Sequence, residues 1–158
     1  MTRILTALAF LLLVAGPLAA QSVTPREGWR VIETDFSYSD LLERLRAAVK
    51  AEEMDLVTEA GPTEAARARG EKIPGNRVLG VFRSDFAVRA LRASVPAMIE
   101  APIRFYVTEE PDGSATLSWK TPNYVFAPYL EEGGKALAQV AAELNAIFEV
   151  IAARATAE

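Results

Sequence analysis

Residues 102–120 alternate in polarity on both sides of a four-residue turn, and this limits the fold more than any other feature of the chain. Ile103, Phe105 and Val107 take one face, while Arg104, Tyr106 and Thr108 take the other. Ala115, Leu117 and Trp119 alternate in the same way with Thr116, Ser118 and Lys120. Side chains on a strand switch faces at every residue, so each run reads as a strand with one apolar face. Between them stands Glu110-Pro111-Asp112-Gly113, with proline second and glycine fourth, as a type I turn favours. A lone hairpin is marginal in water, so this one needs further strands or helices against its apolar face.

The rest of the chain supplies them. Leu137, Val140, Ala141, Leu144, Ile147, Phe148 and Ile151 follow the pair Gly133-Gly134. They recur at helical spacing and form one stripe over about four turns. Leu41, Leu42, Leu45, Ala48 and Val49 mark a second helix, which Ser37 or Ser39 can cap. Trp29 to Phe36 reads as a strand, as do Leu56 to Thr58 and Arg77 to Phe82. A short helix opens at Gly61-Pro62 and ends at Gly70, and a second runs from a cap at Asp85 through Leu91. Val95 to Ala101 is an apolar connection, and Thr121 to Pro128 is a loop rich in proline and aromatics. Hairpin neighbours pair antiparallel, and two long one-sided helices can cover one face of a sheet. The expected fold is therefore α+β, a two-layer sandwich with a mainly antiparallel sheet, built as a single domain over residues 29–154.

The N-terminus reads as a separate unit. Arg3 is followed by an apolar run from Ile4 to Val14, then Gly16-Pro17 and Leu18-Ala19-Ala20-Gln21. This order of charge, short apolar run and small-residue site is that of a secretory signal, expected over residues 1–20 with its preferred cut between Ala20 and Gln21; the alternative is an uncut N-terminal anchor. The run is short for a membrane span, which needs roughly 20 residues. Residues 21–28 are a flexible lead-in, and the mature domain is expected to be periplasmic or secreted, with no stable membrane span after cleavage.

Composition then removes whole classes of chemistry. The chain has 158 residues, and 51% of them are hydrophobic. That is enough apolar surface for a packed core. Its net charge of -4 argues against a nucleic-acid partner, which requires a basic face. It has no cysteine and no histidine. Lipid anchoring through a cysteine, disulfides, serine–histidine and cysteine–histidine nucleophiles and ordinary zinc sites all fall away. Acids occur as adjacent pairs, Glu52-Glu53, Glu109-Glu110 and Glu131-Glu132. None has the spacing of a paired acid/base site or a hard-cation loop. Glycine-rich phosphate and dinucleotide motifs are absent too, so no cofactor and no metal is expected.

The stretch VLGVFRSDF from Val78, followed by APIRFYVTEEPDGSATLSWKTP, resembles the family called domain of unknown function 302. The residues that carry the likeness are Phe82, Pro102, Arg104, Glu109-Glu110, Asp112-Gly113 and Pro122, with Pro74 ahead of the central strand. The likeness covers roughly residues 30–150. After the phenylalanine the family usually has glycine, asparagine and proline, where this chain has Arg83-Ser84-Asp85. The resemblance implies a curved antiparallel sheet packed on a long C-terminal helix, as a homodimer, and it implies no activity.

Six residues are candidates for a ligand site. Arg83, Asp85 and Arg89 belong to a cluster around the short helix after the central strand, completed by Arg92 on the face of Arg89, and its guanidiniums can bind a carboxylate or phosphate. The plain alternative is a solvated face with Asp85 pairing Arg89 at four-residue spacing. Arg104 points away from Ile103 and Phe105, toward solvent, a partner chain or a carboxylate such as Glu33 or Asp35. Tyr124 and Tyr129, with Phe126 between them, can line a pocket or interface, or close the end of the core. Trp119 belongs to the core. The first functional reading is a non-enzymatic binding or interaction module with a small-molecule ligand. The alternatives are a small enzyme using arginine and carboxylate groups, and a carrier of an apolar small molecule between the sheet and the long helix.

Overall fold

The computed structural model describes residues 23–158. The signal peptide expected over residues 1–20, and its cut, lie outside the described residues. Five strands run as β1 (Trp29–Ser37), β2 (Asp55–Ala60), β3 (Asn76–Phe82), β4 (Ile103–Glu109) and β5 (Ser114–Lys120). They form one antiparallel sheet in the order β1-β5-β4-β3-β2. The helices are α1 (Tyr38–Ala51), α2 (Thr63–Ala68), α3 (Ser84–Ala93), α4 (Pro122–Phe126) and α5 (Leu130–Thr156). The expected α+β two-layer fold is the one observed.

The hairpin forms as its alternation requires. Phe105 sits opposite Trp119 and Val107 opposite Leu117. Gly113 takes a positive φ of 89°, which a side chain rarely tolerates. Its N–H donates to the Glu110 carbonyl at 2.9 Å. The Asp112 carboxylate accepts from the backbone N–H and hydroxyl of Ser114, at 3.0 and 2.6 Å. Those bonds hold its pKa below the usual carboxylate value, because they favour the charged form.

α1 starts where expected, with the Ser37 hydroxyl accepting from the Asp40 N–H at 3.2 Å. This satisfies one of the helix's otherwise unpaired first-turn donors. All five residues of its stripe are buried. α5 buries Leu137, Val140, Ala141, Leu144, Phe148 and Ile151, with Ile147 packed at the margin. Gly134 interrupts it with φ 53° and ψ -148°. Glycine adopts that conformation without steric cost, so the regular helix begins just after the glycine pair. An 18-residue window within residues 122–156 has the length and mean hydropathy, 1.5, of a membrane-crossing segment. In this fold their apolar stripe lies on the sheet. The two long helices cover one face, where Leu79, Val81, Phe105, Val107, Leu117 and Trp119 meet them.

Three local readings change. Thr121 to Pro128 is α4 followed by a 3-10 turn rather than a loop. Thr121 caps the helix by accepting from the Tyr124 N–H at 3.3 Å. Pro122 fills the first turn, where its missing N–H costs nothing. Val95 to Ala101 contains a 3-10 helix over Pro96–Glu100. Asp85 does not cap α3. The cap position belongs to Arg83, without a side-chain bond, and Asp85 lies inside the first turn.

Arg46 of α1 clamps Glu59 of β2 with two bonds, at 2.9 and 2.7 Å. The hydrogen bond from Arg46 lowers the Glu59 pKa. A lowered folded-state pKa adds stability above the unfolded value, and that stability is lost as pH falls through the folded one. Glu59→Gln is therefore expected to cost about 0.5 kcal/mol near neutral pH, as partly exposed pairs do. The difference should shrink as acid protonates the wild-type carboxyl in both states. Urea melts at pH 7 and pH 3 check this, and an equal cost at both values contradicts it.

Candidate functional site

Because strands alternate, every residue facing α1 and α5 leaves a neighbour facing the other way. On this far face β4 places Arg104, Tyr106 and Thr108, β5 places Thr116, Ser118 and Lys120, and β1 places Trp29, Val31 and Glu33. β3 adds Asn76, Val78 and Gly80, since Gly80 sits opposite Arg104 and Val78 opposite Tyr106. Four strands thus bring Trp29, Asn76, Arg104, Tyr106 and Lys120 around one hollow of about 500 Å³, with Glu100 at its rim.

Within the hollow, the Asn76 amide donates to the Tyr106 hydroxyl and holds the ring in place. Lys120 lies over the ring of Trp29, 5.8 Å from its centroid. The ring's negative face attracts the ammonium there. Glu100 accepts from the Tyr129 hydroxyl at 2.8 Å. That bond raises the phenol's pKa, because it favours the protonated form. Arg104 is exposed and has no hydrogen-bond, ion-pair or ring partner among the described residues. Glu33 does not reach it. Glu33 lies opposite Thr116, four residues along the ladder from the Trp29–Lys120 pair. At the usual strand rise that is a gap of about 13 Å.

The six sequence candidates fall into separate places. Only Arg104 lines the hollow. Tyr129 touches its rim through Glu100. Tyr124 is exposed with its ring packed against Gly28, whose φ is 73°. Arg83 and Asp85 bind each other, at 2.8 and 3.4 Å, at the start of α3. The hydrogen bond from Arg83 lowers the Asp85 pKa. Arg89 pairs with Glu143 of α5 through two bonds, at 2.7 and 2.8 Å, and not with Asp85. Both Asp85 oxygens are already engaged by Arg83, and the Arg89 guanidinium fork meets the two oxygens of Glu143 instead. Arg83 and Arg89 also lie over the Phe86 ring, at 4.4 and 5.2 Å.

Trp29, Asn76, Tyr106 and Lys120 stand outside the sequence candidates. Tyr106 and Lys120 carry a signal, the parity of the hairpin that puts them on the side of Arg104, whereas Trp29 and Asn76 join through strand order. A second space lies between α3, α5 and the sheet, lined by Met54, Phe86, Leu144 and Phe148. It holds about 30 Å³, room for little more than one water. Among the described residues no group of three or more carboxylates is placed to hold a metal ion.

A family model described as domain of unknown function DUF302 matches residues 30–151. Among solved structures, the fold is similar to the crystal structure of an uncharacterized conserved protein DUF302 from Bacillus stearothermophilus. That match has a TM-score of 0.71 and 18% identity, and covers 82% of this chain and 99% of that one. No curated protein matches the chain.

Proposed function

The chain belongs to the family described as domain of unknown function DUF302, and from that premise we propose that it is an exported, non-enzymatic binding module whose small-molecule ligand sits in the hollow on the far face of the sheet. One observation carries this reading. Arg104 is an exposed cation without a partner among the described residues, set in a concave, partly aromatic surface by a rigid strand. Ligand pockets combine apolar walls with a few polar groups in this way.

The enzyme alternative draws on Arg83, Asp85 and Arg104. The first two are bound to each other and Arg83 lines the slot on the helix side, while Arg104 faces the opposite way. The carrier alternative needs space between the sheet and α5, where the slot offers about 30 Å³. Export rests on the N-terminal pattern, and the homodimer on the family resemblance.

Native mass spectrometry of the protein purified from its own host tests the three parts together. The expected chain begins at or near Gln21, runs as a dimer and retains a ligand that Arg104→Ala loses. Intact Met1 refutes export, and a monomer refutes the dimer. A ligand retained equally by Arg104→Ala refutes the site.

A further inference from the structure

We infer that the hollow takes a small organic anion with a flat apolar body, of the aromatic carboxylate class; this rests on the binding reading above. Trp29 is paired with Lys120 across β1 and β5, and Phe105 with Trp119 across β4 and β5. One step further, the same register sets Arg104 opposite Lys120 on the far face. Side chains directly opposed on neighbouring strands have Cβ atoms only about 5 Å apart, and like charges so placed destabilise the sheet. The protein therefore keeps two exposed cations side by side.

The acids nearby do not relieve them. Glu33 is about 13 Å along the strand at the usual rise per residue. Glu100 lines the same hollow and keeps its charge while accepting from Tyr129, but it forms no ion pair with either cation among the described residues. The contact Lys120 makes is with the Trp29 ring, and Arg104 has no partner among the described residues. An anion between them removes the repulsion. A carboxylate suits the planar guanidinium fork, which offers two parallel N–H donors, while Lys120 adds a point charge.

The body of the ligand follows from the walls. Trp29 stands on the β1 side and Tyr106, pinned by Asn76, on the β4 side, with Val78 and Val125 between polar groups. Arg26 and Lys120 lie over the Trp29 ring, at 5.0 and 5.8 Å from its centroid, so a flat ring meets Trp29 and Tyr106 by edge or offset contact. The volume is about 500 Å³, within the range of small-molecule sites. Inorganic phosphate would satisfy the cations and leave the rings unused. A neutral aromatic would use the rings and leave the cations opposed.

The test is an NMR titration of the full mature chain with benzoate, benzyl alcohol and inorganic phosphate, for wild type and Arg104→Gln. Benzoate is expected to shift the Trp29 indole and the amides of Tyr106 and Lys120. Arg104→Gln should weaken it about tenfold, the size of one lost charge-assisted hydrogen bond. Benzyl alcohol should bind more weakly and be indifferent to the substitution. Thermal melts keep folding out of the comparison: without ligand, Arg104→Gln should melt no lower than wild type, because it removes a repulsion. Equal binding of benzyl alcohol and benzoate, or benzoate binding unchanged in Arg104→Gln, overturns the anion class and leaves the binding face standing. Phosphate binding as tightly as benzoate overturns the flat body. A lowered melting temperature in Arg104→Gln overturns the stored repulsion, and no shift in the hollow with any of the three probes overturns the binding reading as well.

Discussion

Phe148→Ala is expected to lower the unfolding free energy by about 3–5 kcal/mol, the usual cost of truncating a core aromatic. Phe148 is fully buried on α5 and stacks on Phe105 of β4, with ring centroids 4.6 Å apart. Phe105 in turn meets Trp119 of β5 at 5.4 Å in a tilted arrangement. The three rings join the long helix to the hairpin, so the truncation removes ring contacts as well as apolar burial. Urea or thermal melts measure the change. A cost below about 1 kcal/mol, nearer that of a surface substitution, would mean that this aromatic stack does not hold the two layers together.

Leu144→Ala is expected to cost about 2–5 kcal/mol. Leu144 is 6% exposed and lines the small slot between α3, α5 and the sheet. Its removal enlarges an existing apolar space, and the cost of a leucine truncation grows with the cavity left behind, which favours the upper part of that range. The neighbouring Glu143→Ala is the control. Glu143 pairs with Arg89, and the hydrogen bonds from Arg89 lower its pKa. The two side chains are 37% and 39% exposed. Solvent screens a pair so open, and its loss should cost little beside the leucine truncation. Melts of the two variants side by side make the comparison, and equal costs would place the buried face of α5 elsewhere.

Much of this fold is a matter of local period, and local period is written in the chain. The stripe from Leu137 to Ile151 is buried as its spacing demands, and so are the five apolar residues of α1. The residues from Ile103 to Lys120 pair across a turn where their alternation and the Pro-Asp-Gly sequence require it. The helix that reads as a loop, α4, still carries its signal. Thr121-Pro122 is a helix start, and the proline and aromatics that follow obscure it.

The hollow divides along the same line. That Arg104, Tyr106 and Lys120 share a face follows from counting by twos along two strands. That Trp29 and Asn76 join them depends on β1 lying beside β5 and β3 beside β4, with β1 and β2 at opposite edges of the sheet. No local pattern specifies that order, because it is set by how α1 and α5 together bury the sheet's apolar face. Arg89 shows the same dependence. Its partner is Glu143, 54 residues away, rather than Asp85 four residues away. Side-chain direction repeats with the backbone, so local sequence is enough to say which side of each strand and helix is apolar. Which polar sides meet is a different matter. It rests on strand order and helix docking, the joint outcome of burying every apolar face at once.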